Sequence, residues 1–96
     1  MTNAEISAVF ADIAAMLRLK KDNIFKIRAY EKVARSISEL NVPVSQLVTE
    51  NRLKEIPGAG EAIIKKLTEL DSTGKLGFYE KLKVEFPERT PPALSR

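Results

Sequence analysis

An all-α fold is what this sequence predicts, a compact bundle of four to six short helices. Three observations carry the prediction. Apolar residues recur every three or four positions through each long segment, and no stretch alternates apolar and polar residues as a half-buried strand does. Cap and stop signals fall where that periodicity breaks. The chain has 96 residues, 44% hydrophobic and 30% charged, which is enough for one modest core and too little for two domains.

The elements follow in order. Thr2 and Glu5 have capping-box spacing ahead of an apolar run. Ile6, Val9, Phe10, Ile13, Met16 and Leu17 then line one side of a helix that ends near Lys20. Arg18, Lys20 and Lys21 stand where the helix dipole favours cations. Asn23 is the expected cap of a second helix over Ile24 to Glu39. At about 100° per residue its Ile27, Tyr30, Val33, Ala34 and Ile37 fall on one face. Arg28, Lys32 and Arg35 fall on the other. Pro43 suits the first turn of a short helix with Val44, Leu47 and Val48. Leu53 and Ile56 lead into the turn Pro57-Gly58-Ala59-Gly60. Glu61 then starts a helix with Ile63, Ile64, Leu67 and Leu70 on its buried side, and Gly74 is placed to end it in a left-handed cap. A last helix spans about Leu76 to Glu85. The domain is expected to run from residue 1 to 86, with Pro87 to Arg96 a Pro-rich tail or linker.

Composition excludes whole classes of chemistry. There is no Cys and no His, so thiolate and imidazole metal sites, cysteine nucleophiles and Ser-His-Asp triads are ruled out. Asp12, Asp22 and Asp71 lack paired spacing for two-metal catalysis, and no nucleotidyl transfer is expected of this chain alone. No apolar stretch reaches the roughly 20 residues of a membrane span. No secretory signal is recognisable. The net charge is only +3, but Arg18 to Arg35 holds seven basic residues against Asp22 and Glu31. A local basic patch on a near-neutral chain points to a polyanion, nucleic acid first.

The sharpest motif is Leu53-x-x-Ile56-Pro57-Gly58-Ala59-Gly60 before an amphipathic helix. Pro and Gly here permit a tight reversal and close approach of the backbone to a ligand. Outward-facing amides of Gly58, Ala59 and Gly60 at a helix start would bind a phosphate without reading sequence. A plain turn between two helices is the other reading.

The segment resembles the helix-hairpin-helix motif of DNA repair proteins, and the chain from Asn3 to Phe86 resembles the N-terminal 8 kDa, or lyase, domain of family X DNA polymerases. Asn23-Ile24-Phe25-Lys26-Ile27-Arg28-Ala29-Tyr30 with Ala34 carries the match. So do Leu53 to Gly60, and Ile63-Ile64-Lys65-Lys66-Leu67 running on to Thr73-Gly74-Lys75-Leu76. The resemblance implies binding to gapped or nicked duplex DNA on the 5′-phosphate side, in base excision repair. It implies a 5′-phosphate pocket with Lys26 and Tyr30. It also implies a monovalent cation, Na or K, on the backbone carbonyls of Lys54, Ile56 and Ala59, with no other cofactor. It matches Lys66 to a lysine that forms a Schiff base with 5′-deoxyribose phosphate. Two positions that are basic in lyase-active members hold Ala62 and Phe78, and Ile64 replaces a small residue. The missing charge bears on lyase chemistry more than on backbone contacts at the hairpin.

The residues themselves leave several roles open. Lys66 lies at the edge of the buried face, as a nucleophile or as a surface lysine whose stem covers the core. Lys65 points away from that face and joins the DNA-contacting set. Phe25 either stacks on a base at a gap or fills a core position. Arg28, Lys32 and Arg35 either bind phosphates or form a solvated face. The first functional reading is a DNA-binding module of a larger family X polymerase, whose other domains are then its partners. The second is a lyase, and the third a helical protein-interaction domain. A monomer is expected, cytoplasmic at the nucleoid in a prokaryote or nuclear in a eukaryote.

Overall fold

The computed structural model describes residues 1–87. The Pro-rich tail expected from Pro87 onward lies, from residue 88, outside the described residues. Within them the chain folds into α1 (Asn3–Leu19), α2 (Ile24–Ser38), α3 (Val44–Thr49), a single 3₁₀ turn (Leu53–Glu55), α4 (Glu61–Thr73) and α5 (Gly77–Glu85). No strand occurs among the described residues.

Local signals set most of the boundaries. Thr2 accepts from the Glu5 amide, and the Glu5 carboxylate accepts from the Thr2 amide, closing the capping box of α1. The Asn23 side chain accepts from the Phe25 and Lys26 amides and starts α2. Gly74, at φ 76°, ends α4 in the left-handed region. Two further ends use left-handed residues that carry side chains, Lys21 at φ 60° after α1 and Asn51 at φ 57° after α3. Each completes a paired stop. The Asp22 amide donates to Leu17 and the Lys21 amide to Arg18, and Arg52 and Asn51 repeat the pattern on Leu47 and Val48.

The core runs between α1 and α2, which pack along their lengths, and is closed by α3, α4 and α5. Ile6, Phe10, Ile13, Met16 and Leu17 of α1 meet Ile27, Tyr30, Val33 and Ile37 of α2. Side chains of this size stabilise the fold by about 1.5–3 kcal/mol each when fully buried. Leu67 and Leu70 of α4 and Leu82 of α5 join the same cluster, while Val9 and Ile64 pack only partly against it. Polar ties fix the outer elements. Asn3 donates to the Val42 carbonyl and accepts from the Val44 amide, which seats α3 on α1. Tyr79 donates its hydroxyl proton to Asp12 at 2.8 Å, which seats α5 on α1.

The hairpin differs from expectation in one respect. Its first arm is the 3₁₀ turn and not a helix. Asn51 ends α3 early, and only Arg52 to Glu55 remain before the extended Ile56. That is too short for an α-helical turn to propagate.

Candidate nucleic-acid interface

Pro57 to Gly60 form a reversal held from below. The Ala59 amide donates to the Ile56 carbonyl at 3.0 Å, and the Gly60 amide donates to the Gly58 carbonyl at 3.1 Å. Two of the three amides expected to face outward are therefore engaged inside the turn. Gly60 is the N-cap of α4 and has no side chain to cap it. The amides of Glu61 and Ala62 thus begin the helix as donors without an acceptor among the described residues. The Gly58 amide has no acceptor there either, so the open donors include those of Gly58, Glu61 and Ala62, two of them beyond the motif itself.

The two glycines serve different ends. Gly58 has φ +90°, and a Cβ there would meet the Lys32 Cγ at 3.0 Å and Cδ at 3.2 Å. Gly60 has φ −82° and nothing within 4 Å of a built Cβ. Conformation and packing require the first. Only the approach of something outside the protein would require the second.

Gly58 touches the lysine stem because α2 supports the hairpin. Ser36 Oγ donates to the Pro57 carbonyl at 3.0 Å, one turn beyond Lys32. The basic face of α2 and the hairpin thus form one continuous surface. Arg28, Lys32 and Arg35 are exposed along it, and none forms an ion pair among the described residues. Phe25, at the start of α2, is 76% exposed, which removes its reading as a core residue.

On the carbonyl side, Ile56 takes the Ala59 amide, while Lys54 and Ala59 accept no hydrogen bond from turn or loop amides of the described residues. Carbonyl oxygens are hard, neutral donors of the type an alkali cation takes, and those of Lys54 and Ala59 are uncommitted to turn or loop amides.

A second feature lies along α4. A cleft of about 330 Å³ is lined by Glu61, Ala62, Lys65, Lys66, Glu69, Leu76 and Phe78. Lys66 Nζ sits 4.8 Å from the centroid of the Phe78 ring, and Lys26 Nζ, arriving from α2, lies 5.7 Å from it. Lys26 also pairs with Asp22 at 3.7 Å. Burial lowers the Lys66 ammonium below the usual lysine range, the charge of Lys26 lowers it further, and Glu69 opposes both. Tyr30 lies beneath this group, 3% exposed, its hydroxyl pushed up to about 12 by burial and by Asp22. It is a support of the cleft and not an exposed wall.

The structure therefore gathers the predicted residues into two neighbouring groups. Gly58, Ala59, Gly60, Lys32 and Arg35 belong to the hairpin side, while Lys65 and Lys66 line the cleft and Lys26 approaches its Phe78 wall. Sequence reasoning missed Ser36, whose bond to Pro57 joins the two helical units. It also read Phe78 only as missing charge. A serine one turn after a basic residue carries no signal of such a contact.

A helix-hairpin-helix domain model matches residues 1–76. A DNA polymerase/3′-5′ exonuclease PolX of Bacillus subtilis (strain 168) is 28% identical over 94 residues. That similarity covers 98% of this chain and 16% of the relative's length. The relative agrees with the resemblance to family X polymerases drawn from Asn23 to Tyr30 with Ala34, from Leu53 to Gly60, and from Ile63 to Leu76. With four-fifths of its residues within the domain model, the chain belongs to the helix-hairpin-helix domain family.

Proposed function

We propose that this chain binds the backbone of gapped or nicked duplex DNA without reading sequence, on the 5′-phosphate side, as a module of a family X polymerase acting in DNA repair. The observation that carries the reading is the seam between α2 and the hairpin. Lys32 packs its stem on Gly58, and Ser36 holds Pro57. Cationic side chains and free helix-start amides then face the same phosphate backbone. The cleft adds Lys26 and Lys66 as a place for the terminal phosphate dianion, and Phe25 is exposed for a base at the gap. A monovalent cation on the carbonyls of Lys54, Ile56 and Ala59 would supply positive charge to a further phosphate. The domain model and the similarity to a DNA polymerase support DNA as the polyanion.

The test is fluorescence anisotropy with a gapped duplex at several salt concentrations. Affinity falls steeply with salt, with a log–log slope of about −0.9 for each phosphate neutralised. It is higher for a duplex carrying the 5′-phosphate. Binding that ignores salt, or is absent at low salt, would refute the reading and leave a protein-docking role.

A second reading is favoured by Lys66 itself, an amine held in a cleft with a lowered proton affinity. Its free pair would attack the C1′ aldehyde of a 5′-deoxyribose phosphate, and loss of water would give the imine. Removal of a C2′ proton to solvent would then expel the C3′ phosphate oxygen by β-elimination. Borohydride would trap the adduct in the parent protein and not in Lys66→Ala. Trapping that persists in the variant places the nucleophile elsewhere.

A further inference from the structure

Phe78 lines the cleft without a role so far. Its ring ends a column that starts in the core. Phe10 is fully buried, Tyr30 stacks on it with centroids 5.8 Å apart, and Phe78 stacks on Tyr30 at 6.0 Å and 10°. The backbone below the ring is fixed as well. Glu69 Oε2 accepts from the Gly77 amide at 2.9 Å, which anchors the start of α5 on α4. Two ammonium groups from different helices converge on this immobilised ring.

Two like charges near one point repel, and a lysine loses rotamer freedom when it is held. The negative face of an aromatic ring offsets both costs before any ligand arrives. We propose that Phe78 is a positioning residue of the cleft, whose ring holds the ammonium groups of Lys26 and Lys66 side by side for a terminal phosphate dianion. The inference rests on the reading of the cleft as the 5′-phosphate site. A dianion entering there displaces Asp22 from Lys26 and meets two cations already in place. Phe78 itself adds no charge, so its effect appears in discrimination between a phosphate and a hydroxyl end. Contacts along the rest of the duplex, made at the hairpin, are independent of it.

The experiment compares the parent protein, Phe78→Leu and Phe78→Tyr on two gapped duplexes that differ only in a 5′-phosphate or 5′-hydroxyl. In Phe78→Leu the preference for phosphate shrinks about three- to tenfold, the affinity for the hydroxyl duplex stays within about twofold, and Phe78→Tyr restores the preference. A second readout needs no DNA. In carbon–proton NMR spectra the ε-methylene protons of Lys26 and Lys66 are displaced upfield by the ring in the parent and in Phe78→Tyr, and return to ordinary values in Phe78→Leu. An unchanged preference in folded Phe78→Leu overturns the inference, and so does a parent spectrum without the displacement. A parent that binds both duplexes equally overturns it while leaving DNA binding at the hairpin intact. A parent that binds neither duplex overturns the proposed function, and the positioning role with it.

Discussion

At the hairpin, the donors offered are backbone amides with the exposed cations of α2 beside them, and the conformation of the turn sets the site. Gly58 bends the chain, Ser36 holds Pro57, and the amides of Gly58, Glu61 and Ala62 are left without an acceptor among the described residues. At the cleft the reverse holds. The groups are two lysines and a phenylalanine from α2, α4 and α5, and the backbone only places them. The hairpin is built from consecutive residues and is specified by conformation. The two cations and the ring at the cleft come from residues 26, 66 and 78 and meet only once the helices have packed. Substitutions should therefore damage the two regions differently, through conformation at one and through charge at the other.

The largest effect is expected where conformation is strictest. Gly58→Val places a β-branched residue at φ +90° and drives a Cβ into the Lys32 stem. Left-handed strain and crowding together cost about 2–4 kcal/mol of stability. Thermal melting would read that loss, and anisotropy a fall of about tenfold or more in affinity for both 5′-phosphate and 5′-hydroxyl duplexes. A normal melting curve with normal binding would break the assignment of the hairpin as a conformational site.

At the cleft the pattern is selective. Lys66→Gln together with Lys26→Gln removes two charge-assisted contacts, each worth about 1.5–3 kcal/mol when fully formed and less in a half-open cleft. The preference for the 5′-phosphate end disappears, while affinity for the hydroxyl end keeps the level set by the hairpin. Equal loss on both duplexes would erase the distinction between the two regions.

A finer test uses proton affinity. Lys26 is a like charge that disfavours protonation of Lys66. Removing it in Lys26→Gln moves the NMR titration midpoint of the Lys66 ε-methylene upward, toward the ordinary lysine range. Because burial, the larger cause, remains, the midpoint stays below that range. The smallest effect belongs to Gly60→Ala. Its φ is ordinary and no atom stands in the way, but alanine is a poorer N-cap than glycine, so stability falls by about 0.5–1 kcal/mol. Any loss of affinity in that variant measures how closely the DNA backbone approaches the turn.

The same contrast explains what was legible in the sequence. Thr2 with Glu5, Asn23 before Ile24, and Gly74 after Thr73 are signals read within a few residues, and each marks an observed helix end. Lys21 is not, because a lysine in the left-handed region is held there by the paired hydrogen bonds around it and not by its own propensity, whereas Asn51 is of a type that enters that region and was a signal passed over. The hairpin was visible as Pro57-Gly58-Ala59-Gly60. The inward turn of the Ala59 and Gly60 amides was not, since a motif gives residue types and not the rotation of each peptide plane. Phe25 shows the limit of periodicity. It is the second residue of α2 and is left uncovered, while Ile27 in the same turn is buried. Phe78 was legible only as an aromatic where charge was expected. Its stack on Tyr30 joins residues that are distant in sequence, and no local pattern records it.

One helix takes part in both regions, and this sets a length. Lys26 reaches the cleft and Lys32 the hairpin, six residues apart on α2. At 1.5 Å per residue the interval is about 9 Å along the axis, rigid for as long as the helix is intact. The helix therefore acts as a gauge. In the proposed binding mode, a strand end held at one mark presents its next phosphates at a fixed offset from the other. One residue inserted between Lys26 and Lys32 would lengthen the gauge by only about 1.5 Å but swing one mark about 100° around the axis, and the two regions would no longer face the same strand.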